Sequence, residues 1–157
     1  MRFEMMKKED IEEISKLERE LFSDPWPAHF FYEELDNAFA TYYVMKKEEE
    51  IIGYAGMWQM FENCDLTNIS VRKEYQGKGY GEELLRFMIG KAIEKGCEFM
   101  HLEVRASNMK AKSLYEKMGF IEVRTRKGYY EDGEDGIDMV KGLLGLSEED
   151  TGDRKQL

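Results

Sequence analysis

The chain has 157 residues, enough for one domain, with 42% apolar, 13% aromatic and 36% charged residues, so a real core and a heavily solvated surface are both expected. A formal net charge of −10 argues against nucleic acid as the main partner, because phosphate binding needs a basic surface. The excess acid suits plain solubility or a basic peptide or polyamine partner.

No apolar run approaches the roughly 18 residues of a membrane span. The opening Met1-Arg2-Phe3-Glu4 lacks the apolar block of a signal peptide. Cys64 and Cys97 are too few and too unpatterned for a disulfide framework or a zinc site. No membrane, no metal and a cytoplasmic location are expected.

In chain order, Arg2 to Met5 reads as a short strand. Asp10 with Glu13 resembles a capping box that opens a helix carrying Ile11, Ile14, Leu17 and Leu21 on one face. Ser23-Asp24-Pro25-Trp26-Pro27 breaks it, and Pro27 suits the first position of a second helix bearing Phe30, Phe31 and Leu35. Thr41 to Met45 and Ile51 to Met60 flank the polar turn Lys46 to Glu50, which suggests a hairpin; Asn63 marks a second turn into Asp65 to Val71. A glycine-rich loop then opens a long helix to about Lys95, with Leu84, Leu85, Met88, Ile89 and Ala92 as its apolar stripe and Gly96 at its end.

Glu98 to Arg105 alternates, with Phe99, His101, Glu103 and Arg105 on one face and Met100, Leu102 and Val104 on the other. Ala111, Leu114, Tyr115 and Met118 repeat at helical spacing up to Gly119. Phe120 to Arg126 and Ile137 to Val140 read as two last strands. This order gives an α/β (α+β) fold around one central sheet. The tail from Ser147 to Leu157 is polar and expected to be flexible.

The most informative segment is Gln76-Gly77-Lys78-Gly79-Tyr80-Gly81, lying between a strand end and an amphipathic helix. Glycines allow positive φ and a close approach of the backbone, so successive N–H groups converge on one anion. The helix that follows adds its unpaired N–H groups and the positive end of its dipole, which suits a pyrophosphate. A P-loop would need Gly, four residues, then Gly-Lys-Ser/Thr, and the dinucleotide fingerprint needs G-x-G-x-x-G; here the spacing is G-x-G-x-G. Q-x-x-G-x-G has the spacing of a coenzyme A pyrophosphate loop.

At this point the chain resembles the GNAT superfamily of N-acetyltransferases, and within it the bacterial ribosomal-protein-alanine N-acetyltransferases. The likeness is carried by Leu21 to Trp26, Leu66 to Val71, Gln76 to Gly81, Leu102 to Asn108 and Leu114 to Phe120, with Tyr129-Tyr130 and Glu134-Asp135. Pro27 stands where that family usually has serine, and Gly136 where it has alanine; both bear on amine choice. The resemblance implies a mixed, mostly antiparallel sheet of about seven strands flanked by about four helices, in a single N-acetyltransferase domain over residues 1–146. It also implies acetyl-CoA as cosubstrate and direct attack by an amine.

By the same resemblance, Ile69, Ser70 and Val71 present main-chain groups to the acetyl end of the cofactor, with the Val71 N–H as oxyanion donor. Gln76, Gly77, Lys78, Gly79, Tyr80, Gly81 and Glu82 hold its diphosphate, and Asn108, also a good N-cap, its pantetheine arm. Glu103 is the implied general base, directly or through a water. Neutralising an α-amine at pH 7 costs roughly 1 kcal/mol against roughly 4.6 for a lysine, so a carboxylate suits the former. The plain alternative for Glu103 is a solvated carboxylate paired with Arg105.

Tyr115 is the implied general acid; by position alone a tyrosine on an apolar stripe is core. Trp26, Phe30 and Phe31 on one side and Tyr129 and Tyr130 on the other are candidates to wall the amine groove, although aromatics after a helix break also serve as core anchors. His29 and His101 lack Cys or His company and read as structural.

The leading function is acetylation of a protein N-terminus, by likeness that of an alanine-starting, basic small-subunit ribosomal protein. A broader-specificity N-terminal or small-amine/polyamine acetyltransferase is the alternative among enzymes, and a coenzyme A-binding sensor module the alternative outside them.

Overall fold

The structure, a computed structural model, describes residues 1–146; the expected flexible tail lies outside the described residues. Seven strands and four α-helices are present among them: β1 (Arg2–Met5), α1 (Ile11–Leu21), α2 (Ala28–Leu35), β2 (Ala40–Lys47), β3 (Glu50–Met60), β4 (Asn63–Val71), α3 (Tyr80–Glu94), β5 (Phe99–Arg105), α4 (Met109–Lys117), β6 (Ile121–Arg126) and β7 (Gly136–Gly142). The strand order is β1-β2-β3-β4-β5-β7-β6. The chain divides into two compact units, Met1–Trp58 with Thr67–Leu85, and Gln59–Leu66 with residues from Arg86 on.

In the first unit β1 runs antiparallel to β2 and β2 to β3, the second pairing running from Ala40↔Trp58 to Lys47↔Glu50 with a shift at Met45/Lys46. The apolar stripe of α1, Ile11, Ile14 and Leu17, buries against Phe31 of α2 and Tyr42, Val44, Ile51 and Tyr54 of the sheet. The helix starts differently from the expected box. Asp10 belongs to a preceding 3-10 turn, Lys8–Asp10, and its carboxylate accepts the Lys7 N–H at 2.8 Å. Glu13 reaches instead to the Ile51 N–H at 3.3 Å and to Arg72 at 3.4 Å, partners distant in sequence. Pro27 is the N-cap rather than the first helical residue, with its carbonyl accepting the Phe30 N–H.

In the second unit β4 and β5 pair in parallel from Asn63↔Phe99 to Asp65↔His101. β7 inserts between β5 and β6, antiparallel to both. The β5 alternation is as expected: Met100, Leu102 and Val104 are buried, while Phe99 and Glu103 are exposed. Gly96 and Gly119 end α3 and α4 at φ of 84° and 97°, where L-residues are strained.

Candidate active site

In the first unit, Val71 ends β4, and a 3-10 turn, Lys73–Tyr75, leads into the glycine loop. Gln76 Nε2 donates to the Val71 carbonyl oxygen at 2.9 Å. Gly77 and Gly79 hold φ of 76° and 89°, and a Cβ built on either would meet nothing within 4 Å. Glycine is therefore required by the backbone conformation rather than by crowding, and the space above the loop is open. The first i→i−4 bond of the helix runs from the Glu83 N–H to the Gly79 carbonyl at 3.1 Å, so the N–H groups of Tyr80 and Gly81 precede the helical ladder. Glu82 lies in the same first turn.

The side chains of Lys78 and Tyr80 turn toward Tyr75, the ammonium 5.8 Å from its ring centroid and the Tyr80 ring edge-on at 5.8 Å. What this loop offers a ligand is thus its main chain: glycine amides and a helix N-terminus with positive dipole end. That donor set fits a diphosphate.

Upstream, Ile69 is partly exposed, and Ser70 and Val71 are buried. The Ser70 side chain is buried beside the Tyr54 phenol. Trp26 packs against Phe30 and Phe31 at 5.7 and 5.5 Å, and its backbone N–H donates to the buried Glu18 carboxylate at 3.0 Å. Phe30 is 41% exposed, whereas Phe31 is fully buried between Tyr42 and Tyr54. Phe31 is a core anchor; Trp26 is partly buried against the same core, and Phe30 is exposed.

In the second unit, Glu103 lies opposite Asp138 of β7, with its side chain 39% exposed. The expected alternative partner, Arg105, is engaged elsewhere: it bonds Asp132 at 2.8 Å and Glu134 at 3.0 Å, and its guanidinium sits 4.1 Å from the Tyr130 ring centroid. Glu103 instead faces Arg126, whose Nε lies 3.7 Å from it and 2.9 Å from Asp138. Tyr129 stands beside it, and the nearby Glu103 carboxylate pushes the phenol upward.

Tyr115 is 7% exposed on α4, its ring edge-on to Phe120 at 5.9 Å, and burial pushes its hydroxyl up to about 12. It stays protonated at neutral pH, as a proton donor must. Asn108 caps α4, its Oδ1 accepting the Ala111 N–H at 3.1 Å, which leaves its amide hydrogens to donate elsewhere. Tyr129 and Tyr130 meet edge to face at 5.1 Å.

Sequence reasoning missed Arg126 as the partner of Glu103, and it named Glu134 without its partners, the Ser107 N–H at 2.7 Å beside the Asn108 cap among them. Both come from the β6–β7 arm, and no local spacing signals them. His101 bonds Asn63 at 2.8 Å across the β4–β5 ladder, and the His29 ring meets Phe30 edge-on at 4.7 Å. Among the described residues no group of three or more His, Cys, Asp or Glu is arranged to hold a metal ion, and no helix is long and apolar enough to cross a membrane.

A glycine loop at the start of α3, after a strand that leaves its neighbour's ladder at Asp65, defines the class. Residues 11–120 match the Acetyltransferase (GNAT) family, and the chain belongs to it: it is an acetyl-CoA-dependent N-acetyltransferase. A Bacillus subtilis (strain 168) relative, provisionally named [ribosomal protein bS18]-alanine N-acetyltransferase, is 39% identical over 85% of this chain and 90% of its own. The [ribosomal protein bS18]-alanine N-acetyltransferase of Haemophilus influenzae is 37% identical over 77% of this chain and 82% of its own. The crystal structure of the ribosomal-protein-S18-alanine N-acetyltransferase from Escherichia coli superposes with a TM-score of 0.85 at 28% identity, over 90% of this chain and 93% of that one.

Proposed function

We propose that the chain acetylates the α-amine of a protein N-terminus, that of an alanine-starting, basic small-subunit ribosomal protein, in the cytoplasm, with residues 1–146 acting as one catalytic domain. The observation that carries this reading is the loop, with Gly77 and Gly79 left-handed and open to a ligand at the start of α3. The Haemophilus influenzae and Escherichia coli relatives are named for an alanine of ribosomal protein S18, and a net charge of −10 suits a basic acceptor.

The main chain of 77–82 holds the diphosphate of the cosubstrate, and the Asn108 amide its pantetheine arm. Trp26 and Phe30, and Tyr129 and Tyr130, line the acceptor groove. Glu103 takes the proton of the attacking amine as the N–C bond forms. The Val71 N–H donates to the carbonyl oxygen, and Tyr115 donates its proton to sulfur as the C–S bond breaks. A phenol at about 12 is a weaker acid than an aqueous thiol near 8.5, but a site dry enough to raise the phenol raises the thiol as well, which narrows the gap.

Turnover of acetyl-CoA with an alanine-starting basic peptide, compared with spermidine at equal concentration, tests the acceptor. Peptide turnover at least tenfold higher is the expected result; spermidine preference would replace the acceptor, and no turnover with either would favour a sensor.

A further inference from the structure

Along β4, Cys64 and Leu66 are buried while Asn63 is half-buried and Asp65 and Thr67 are exposed, and then the period is lost: Asn68 and Ile69 are both half-buried, Ser70 and Val71 both buried. Consecutive side chains of a regular strand face opposite sides of the sheet. Here the side chains of two consecutive residues reach one atom. The Tyr42 hydroxyl lies 3.0 Å from Thr67 Oγ1 and 2.9 Å from Asn68 Oδ1. The strand is therefore irregular at Thr67–Asn68, immediately before the main chain of Ile69 to Val71.

Tyr42 reaches this point because β3 makes room for it. Gly56 lies opposite Tyr42 in the ladder, and a Cβ there would fall 2.1 Å from the tyrosine ring. From a third side comes Glu34 of α2, whose Oε2 lies 3.0 Å from the hydroxyl and also accepts from Trp58 Nε1; the single phenolic proton goes to Glu34 or to Asn68, while the Thr67 hydroxyl can donate to the phenol oxygen. α2 is the helix that follows Trp26 and carries Phe30. One hydroxyl thus links the helix of the acceptor-side aromatics to the strand of the acetyl-side amides, all within the first unit.

We propose that Tyr42 and Glu34 form a positioning pair that holds β4 in its irregular conformation and so aims the Val71 N–H. A strand that slips by one position presents its groups to the other face, so the cost of losing the pair falls on alignment rather than on cosubstrate binding. The role in turnover rests on the acetyl-transfer reading given above.

Tyr42→Phe removes the hydroxyl and keeps the ring over Gly56; Glu34→Gln is the second, milder variant. Two measurements are made on each: steady-state kinetics with the alanine-starting peptide, and amide hydrogen exchange of the segment containing residues 67–71. Expected for Tyr42→Phe are a kcat at least tenfold lower, a KM for acetyl-CoA within about twofold of wild type, and exchange at least tenfold faster in that segment. The double variant should be no slower than Tyr42→Phe alone, because the two residues act through one contact. A wild-type kcat, a loss appearing only in the KM for acetyl-CoA, or unchanged exchange at 67–71 overturns the proposal. Should the wild-type chain turn over no amine, the functional reading fails, and the exchange measurement alone decides the positioning pair.

Discussion

Gln76 Nε2 donates to the Val71 carbonyl oxygen at 2.9 Å, so the residue that opens the glycine loop is fastened to the last residue of β4. The bond fixes where the loop leaves the strand. Gln76→Ala frees the loop without altering its glycines, and the affinity for coenzyme A is expected to fall about tenfold by calorimetry, with the melting temperature changed by only a few degrees.

Gly77 and Gly79 separate conformation from crowding. With nothing within 4 Å of a built Cβ, the cost of Gly79→Ala comes from its φ of 89° alone, about 1–2 kcal/mol. Coenzyme A affinity is expected to fall five- to thirtyfold by calorimetry. Gly53→Ala is the contrasting case. Its Cβ would lie 2.7 Å from the Ser70 carbonyl oxygen, so its effect should appear in thermal unfolding.

Glu103→Gln keeps the size of the side chain and removes its basicity. A positioned general base contributes about 10²–10⁴ in rate, so kcat with an alanine-starting peptide is expected to fall at least a hundredfold while coenzyme A affinity holds. Unchanged turnover would transfer the base role elsewhere.

Tyr115 carries both a kinetic and a stability expectation. Tyr115→Phe is expected to lower kcat at least tenfold. The unfolded phenol ionises near pH 10, but burial holds the folded one protonated up to about 12, so the unfolded state loses its proton first as pH rises. Tyr115 therefore contributes stability that is whole below pH 10 and declines between about 10 and 12, by up to about 2–3 kcal/mol. Urea unfolding at pH 9 and pH 11 should show a smaller alkaline loss in Tyr115→Phe. Tyr42 and Tyr54 are raised by burial too, so part of the loss persists.

Glu18 is 3% exposed and accepts the Tyr54 hydroxyl and the Trp26 N–H, which pins the chain between α1 and α2 to the core. Glu18→Ala orphans both donors and is expected to cost about 3 kcal/mol, lowering the melting temperature by roughly 6–12 °C in a scanning calorimeter.

The element order was legible because each long element repeats with its own period, as in the stripe of α1 and the alternation of β5. The loop was legible because its glycine spacing is local. Side-chain partners were not. Asp10 and Glu13 read as a capping box, yet Glu13 is drawn to Ile51 and Arg72. Arg105, two positions from Glu103 on the same face, is taken by Asp132 and Glu134, and Arg126 comes to Glu103 in its place. These choices depend on how the β6–β7 arm folds back, which no short window of sequence contains. Phe30 and Phe31, adjacent and alike, part company because α2 turns one to solvent and the other into the core.

The most direct measurement is a titration of the labelled protein with coenzyme A, followed through its backbone amide resonances. The largest shifts are expected at Gly77 to Glu82, the segment whose main-chain N–H groups are proposed to hold the diphosphate. Saturable binding that leaves those amides in place and moves others would contradict the account.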